Sequence, residues 1–309
     1  MSVRRTQIPI LTWFPQFMAT LILVIVQQTL CAQHTQQFKS VPLWVDGAPG
    51  ALGSASSDQP RLLLFPAAAS TGRGNHTGLL ILPGGGYKSL SLDQEGLPSA
   101  KWLNKLGIAA FILNYRVGPR YHHPIELSDA SRAMRWIRSH AADYGLDPHR
   151  IGVWGFSAGG HLASTLGTHF DDGISVAEDP IDRASNRPDF MILTYPVISP
   201  LGRASEGSFR NLLGDHPDPA VQDDVTNYKH VTSRTPPTFL VHGNDDQWVL
   251  PENSVNFYLA LRRAGVPAEL HIYQHGDHGF GLAQSDPILS SWPGLLANWL
   301  RIQGLLNAN

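Results

Sequence analysis

Six short apolar runs, at 79–82, 108–114, 151–155, 190–195, 238–242 and 270–273, recur along the chain with little polar alternation inside them. Runs of that length, apolar on both faces, predict strands covered on both sides. Between them lie longer stretches, at 97–106, 126–142, 158–169, 252–264 and 287–301, with the spacing of amphipathic helices. The βα rhythm predicts an α/β fold: a mostly parallel twisted sheet with helices on both faces. Right-handed crossovers gather the carboxyl ends of such strands at one edge, where ligands bind. Two Gly-, Ser- and Ala-rich stretches, 47–59 and 66–78, read as connections inside one domain over 40–309 rather than as boundaries. Only 195–236 leaves room for a cap, and that is too little for a second domain.

The first residues break this rhythm. Arg4 and Arg5 precede an apolar run at 17–26 that ends in Thr29-Leu30-Cys31-Ala32. Such a run is short for a bilayer of ~30 Å hydrocarbon and has the layout of an export leader. A signal peptide over 1–32, cut after Ala32, and a secreted or periplasmic protein are therefore expected. A retained anchor and a lipid-modified Cys31 are the alternatives, the second weakened by the bulky Leu30 before it. Cys31 is the single cysteine, so the exported chain would be held by core packing without disulfides.

Charge narrows the partners. The 309 residues carry a formal net charge of −2 with no long basic or acidic run, which speaks against nucleic acid and, once the leader is gone, against a membrane surface. A neutral small molecule or polymer is the expected partner, and the oligomeric state is not legible.

The chemistry is concentrated in "VWGFSAGGHLA", 153–163, where Gly155-x-Ser157-x-Gly159 joins a strand pattern to a helix pattern. In this turn a serine hydroxyl stands clear of the sheet edge, and the flanking glycines avoid collisions with strand and helix. The Ala158 amide, at the new helix's N-terminus, is a candidate oxyanion donor. A serine nucleophile needs a histidine base and an orienting carboxylate, in the chain order Ser, acid, His. Both follow later strands. In "HGNDDQWV" the spacing H-G-x-x-D-x-x-V favours Asp246 over Asp245, and in "HGDHGFG" His278, with its flexible glycine-flanked loop, is favoured over His275. Asp277 reads as a surface charge. "LPGGGY" after the first parallel strand offers the amides of Gly85 and Gly86 as further oxyanion donors; no G-K-[ST] follows, so it is not a phosphate loop.

These residues, with "LNYRVGPRYHHP", "YPVIS", "NLLGD", "TPPTFLVHG" and "PENSVNFYLALRRAGVPAE", resemble the α/β-hydrolase carboxylesterases related to acetyl xylan esterases and bacterial carbohydrate acetyl/feruloyl esterases. The resemblance runs from about Trp44 to the C-terminus. It implies hydrolysis of acetyl or similar small acyl esters, possibly on polysaccharide, with Ser157, Asp246 and His278 as triad and Gly85, Gly86 and Ala158 as oxyanion hole. Two departures are Pro83, where many relatives carry histidine, and Leu250, where relatives often carry proline.

No cofactor is expected. The 14 histidines include no H-E-x-x-H or cysteine-containing zinc pattern, so no metal is assigned to the site. His161 reads as a packed helix residue, and His122 and His123 as loop residues at the surface or the cleft. Tyr87 and Trp248 follow the two active loops and are candidates for substrate binding, with the core as the equal alternative for each. Asn75 carries an N-x-T sequon. A prolyl-oligopeptidase-like serine peptidase is a rival reading, set back by the absence of room for a propeller. A non-catalytic carbohydrate-binding homologue is another, set back by the complete set of catalytic residue types.

Overall fold

Eight strands pair in the order β1-β2-β4-β3-β5-β6-β7-β8. They are β1 (Ser40–Pro42), β2 (Arg61–Phe65), β3 (Gly78–Leu82), β4 (Ala109–Asn114), β5 (Ile151–Phe156), β6 (Met191–Thr194), β7 (Thr238–Gly243) and β8 (Ala268–Tyr273). From β4 to β8 every pairing is parallel, whereas β1 and β2 join antiparallel at one edge. This computed structural model describes residues 38–67 and 75–307. The expected leader at 1–32 lies outside the described residues, and Lys39–Asn309 forms one compact unit.

The expected strands are present, each end within two residues. Leu79, Leu80, Ile81 and Leu82 are all fully buried, because helices cover both faces of β3. Each such side chain contributes about 1.5–3 kcal/mol on burial. The covering helices are α1 (Leu97–Lys105), α2 (Ile125–Ser139), α3 (Ser157–Thr168), α6 (Glu252–Arg263) and α7 (Trp292–Ile302). Between β6 and β7 the chain adds α4 (Arg203–Leu213) and α5 (Pro219–Asp224).

Two helix ends differ from the sequence pattern for local reasons. Helix α2 stops at Ser139 rather than 142: the Ser139 hydroxyl and the His140 ring both bond the Trp136 carbonyl, and Gly145 then turns left-handed. Helix α7 starts at Trp292 rather than 287, because Asp286 first caps a separate turn through the amides of Ile288 and Leu289, and Pro293 occupies the first helical turn. Strand β2, "RLLLF" between Pro60 and Pro66, is not predicted by the pattern, because five residues between prolines do not separate an edge-side strand from a loop.

Strand order reverses between β3 and β5. Chain after β3 runs outward to β4, and chain after β5 runs the other way to β6. That crevice is the switch point at which open α/β sheets bind ligands. Ser157 follows β5 and the glycine triplet follows β3, so both flank it.

Candidate active site

The local sequence forces the serine turn. At Ser157 the backbone enters the left-handed region, φ 51°, so the chain reverses from β5 directly into α3. A Cβ at Gly159 would stand 2.0 Å from the Leu82 carbonyl oxygen, and one at Gly155 would stand 2.2 Å from the Gly159 oxygen. Only glycine permits this approach of β3, β5 and α3, and the tightness holds a strained serine in place.

Across the sheet edge, Ser157 Oγ lies 2.8 Å from His278 Nε2, and His278 Nδ1 lies 2.7 Å from Asp246 Oδ2. The carboxylate can only accept, so Nδ1 carries the proton and Nε2 presents its lone pair to the serine hydroxyl. Asp246 is 1 % exposed and uses both oxygens. Oδ1 accepts from the amides of Trp248 and Val249, each at 2.9 Å, while Oδ2 also faces His242 Nε2 at 3.3 Å. Burial pushes the Asp246 carboxyl up, but the hydrogen bonds from His242, His278 and the Val249 amide, with the His278 charge, more than offset this and hold it well below the carboxylate range. His242 is itself fixed by Ser254 Oγ at 2.7 Å and the Val249 carbonyl at 2.9 Å.

The two competing residues pair with each other. Asp245 accepts from the Gly276 amide at 2.6 Å and meets His275 Nδ1 at 3.1 Å. They clip the loop after β7 to the loop after β8, away from the serine relay. Asp277 accepts from the His278 amide and is exposed.

The glycine triplet is held at both ends. Glu95 Oε2 accepts from the Gly84 amide at 2.6 Å, and Asn211 Nδ2, on α4, donates to the Gly86 carbonyl at 2.7 Å. Gly85 and Gly86 both have positive φ, 125° and 63°, and their amides donate to no acceptor among the described residues. A Cβ on Gly84 would touch Ser157 Cβ at 2.9 Å, so the triplet lies directly against the serine turn. With the Ala158 amide in the first turn of α3, this provides unpaired donors beside the serine.

Sequence reasoning missed the buried polar group behind these loops. Glu95 lies in a π-helical turn, Leu92–Gly96, and its Oε1 accepts from Tyr195 OH at 3.0 Å. Tyr195 OH in turn accepts from the Gly281 amide at 3.1 Å, and the Tyr195 ring meets His278 edge-on at 5.0 Å between centroids. Glu95 therefore connects the glycine loop to the loop that carries His278. Burial raises its carboxyl against the lowering effect of the Gly84 and Tyr195 hydrogen bonds and of His278. A lone glutamate in "SLDQEG" gives no signal of this; the partners come from three distant segments.

The aromatic candidates separate. Tyr87 is 1 % exposed, with its hydroxyl 2.8 Å from His161 Nδ1 and its ring edge-on to Tyr115. Its placement among substrate-binding residues is corrected: it takes the core alternative, because a buried ring facing a buried histidine offers no surface. Trp248 is 52 % exposed beside the acid loop. His161 is packed as expected; its other nitrogen meets the Val225 carbonyl, and burial lowers it to about 4. His122 Nδ1 meets the Asn211 carbonyl, and burial lowers His123. Asn75 is buried, its amide donating to the Leu106 carbonyl and its oxygen accepting from Asn307, so the sequon is not available in the folded chain.

Cavities of about 440 and 320 Å³ open elsewhere, the first between Leu201, Asp223 and Lys229, the second between Arg116, Arg120 and Tyr121; no triad candidate lines either. Ser157 is 8 % exposed and the His278 side chain 18 %, so the relay is reached directly from solvent.

Residues 69–261 match the BD-FAE family. Over 229 residues the chain is 38 % identical to an acetylxylan esterase of Xylanibacter ruminicola, covering 71 % of this chain and 44 % of that protein. It is 35 % identical over 224 residues to endo-1,4-beta-xylanase B of Butyrivibrio fibrisolvens, covering 70 % and 34 %. The chain thus spans less than half the length of these two relatives. The crystal structure of an acetyl ester-xyloside bifunctional hydrolase from Caldicellulosiruptor lactoaceticus superposes with a TM-score of 0.81 at 43 % identity, covering 87 % of this chain and 97 % of that one.

Proposed function

Because the chain belongs to the BD-FAE family, we propose that it is a serine carboxylesterase that removes acetyl or similar small acyl groups from carbohydrate. The observation that carries this reading is the unbroken relay from Ser157 through His278 to Asp246, at 2.8 and 2.7 Å, beside the unpaired amides of the glycine loop. In the proposed reaction Ser157 Oγ attacks the ester carbonyl as His278 Nε2 takes its proton. Asp246 stabilises the imidazolium that forms. The Gly85, Gly86 and Ala158 amides hold the oxyanion, each donor contributing about 10² to 10³ in rate. His278 returns the proton to the leaving alcohol, and water then hydrolyses the acyl-enzyme by the same route.

The carbohydrate assignment draws on the acetylxylan esterase and xyloside hydrolase named above and on the exposed Trp248, whose ring face suits a sugar ring. Among the described residues no helix is long and apolar enough to cross a membrane. The leader-like pattern at 1–32 supports export as part of the proposal. The test is a substrate panel on the protein lacking residues 1–32: acetylated xylan, acetylated monosaccharides, methyl ferulate, p-nitrophenyl acetate and a proline-linked peptide. Acetate release from the acetylated sugars is expected. Cleavage of the peptide with the esters untouched would overturn the proposal.

A further inference from the structure

Far from the serine, two imidazoles and a carboxylate converge. His169 caps the C-terminal end of α3, Asp224 ends α5, and His230 caps the short turn Asn227–Lys229. One ligand atom from each lies within 4.8 Å of the others. Helix α3 is 12 residues long, so this cluster is roughly 18 Å along its axis from Ser157.

The hydrogen bonds on the far side of each ring fix which nitrogen is free. Thr168 Oγ1 spends its own hydrogen on the Ser164 carbonyl at 2.8 Å, so it accepts from His169 Nδ1, also at 2.8 Å, and the Thr165 carbonyl backs the same nitrogen at 3.3 Å. Nδ1 of His169 therefore carries the proton. Its Nε2 presents a lone pair that is buried, makes no hydrogen bond, and stands 3.6 Å from Asp224 Oδ1. His230 Nε2 faces the Asp223 carbonyl at 3.1 Å, which places a proton on it, so Nδ1 is the nitrogen that would act as ligand. The two rings are 5.0 Å apart between centroids.

The His169 lone pair and the Asp224 carboxylate face each other with no donor between them, and a cation or a proton placed there relieves the repulsion. Backbone or hydroxyl acceptors behind each ring are the arrangement that orients histidine toward a metal. The C-terminal end of α3 adds a favourable field for positive charge. We propose that His169, Asp224 and His230 bind one divalent transition-metal ion of the zinc class. Two nitrogens and one carboxylate oxygen suit that ion, with water completing a tetrahedron at about 2.0–2.2 Å from each protein ligand. Closing the present spacing requires shifts of about 1 Å. Bound there, the ion fastens the cap segment that carries α5 to the end of the helix that begins at Ser157. The site departs from the expectation that no metal is bound, and it escaped sequence reading because positions 169, 224 and 230 form no short motif. It does not depend on the esterase reading.

The test uses tag-free protein stripped with EDTA. Calorimetric titration with ZnCl2 is expected to show one equivalent binding with a Kd in the micromolar range or below, and CoCl2 to develop the visible bands of a tetrahedral site. At Zn²⁺ about 100-fold above Kd the melting temperature should rise by roughly 5 °C, with MgCl2 giving no shift. Asp224→Asn, at the exposed member of the cluster, and His230→Gln should each weaken Zn²⁺ at least tenfold. Binding weaker than about 1 mM, undiminished binding by both variants, or loss of binding on His278→Ala instead would overturn the proposal.

Discussion

The carboxylate of Glu95 accepts the amide of Gly84 at 2.6 Å, and through it a buried charge sits against the loop that borders the serine. Its other oxygen takes the Tyr195 hydroxyl, so two donors depend on one carboxylate. Glu95→Gln presents an NH2 group to one of them. The amides of Gly85 and Gly86, the proposed oxyanion donors, then lose their fixed support, while the substrate's remote contacts do not change. The expected result is a fall in kcat of about tenfold with KM nearly unchanged, because one wholly lost oxyanion donor costs about 10² to 10³. Steady-state kinetics on p-nitrophenyl acetate, with circular dichroism as the folding control, checks this. A KM effect with kcat intact would count against a positioning role for Glu95.

Adjacent aspartates offer a sharper contrast. Asp246 meets His278, whereas Asp245 meets His275 and the Gly276 amide. Asp246→Asn permits the wrong imidazole tautomer and should lower kcat by about 10³ to 10⁴. Asp245→Asn only loosens the clip between two loops, and a loss of less than about tenfold is expected. Comparable losses in the two variants would remove the distinction between them.

Stability should depend on pH through Glu126. No side chain among the described residues hydrogen-bonds this buried carboxyl, and burial, with the Asp129 charge, raises it to about 8, against smaller lowering effects of its own backbone amide and Arg116. Its folded value lies above the unfolded value of about 4.3, so the native state binds the extra proton between them. Stability is complete below the unfolded value and declines as pH rises towards 8, by about 5 kcal/mol over that window. Glu126→Gln stays neutral throughout. Its melting temperature should match the parent's near pH 5 and exceed it by several degrees near pH 9. Thermal denaturation at the two pH values measures this, and parallel curves at both would contradict it.

Trp248 and Tyr87 separate substrate binding from packing. Trp248→Ala removes an exposed ring beside the acid loop and should raise KM several-fold for acetylated xylo-oligosaccharides while leaving p-nitrophenyl acetate little changed. Tyr87→Phe breaks the buried contact with His161 and should lower the melting temperature, with no selective effect on the oligosaccharide KM. A selective KM effect in the second variant would return Tyr87 to the cleft.

What the sequence made legible follows from where short-range rules act. Ser157 was readable because a tight turn demands glycine at fixed spacing, and Asp246 and His278 because each follows a strand within a few residues. The parallel strands were readable because burial on both faces removes polar positions, as in Leu79 to Leu82. Strand β2 was not, since an edge-side strand between prolines has no such signature. Glu95 and Tyr195 stayed hidden for a different reason: they gain their places from each other, 100 residues apart. Tyr87 shows the converse. An aromatic next to an active loop has the same local pattern whether it faces substrate or core, and only packing against His161 and Tyr115 decides.

Acylation of Ser157 during turnover is read out by mass spectrometry of protein treated with a fluorophosphonate and then digested. A single adduct on the peptide containing Ser157, absent in Ser157→Ala together with esterase activity, is the predicted result. An adduct on another residue, or ester hydrolysis persisting undiminished in Ser157→Ala, would contradict it.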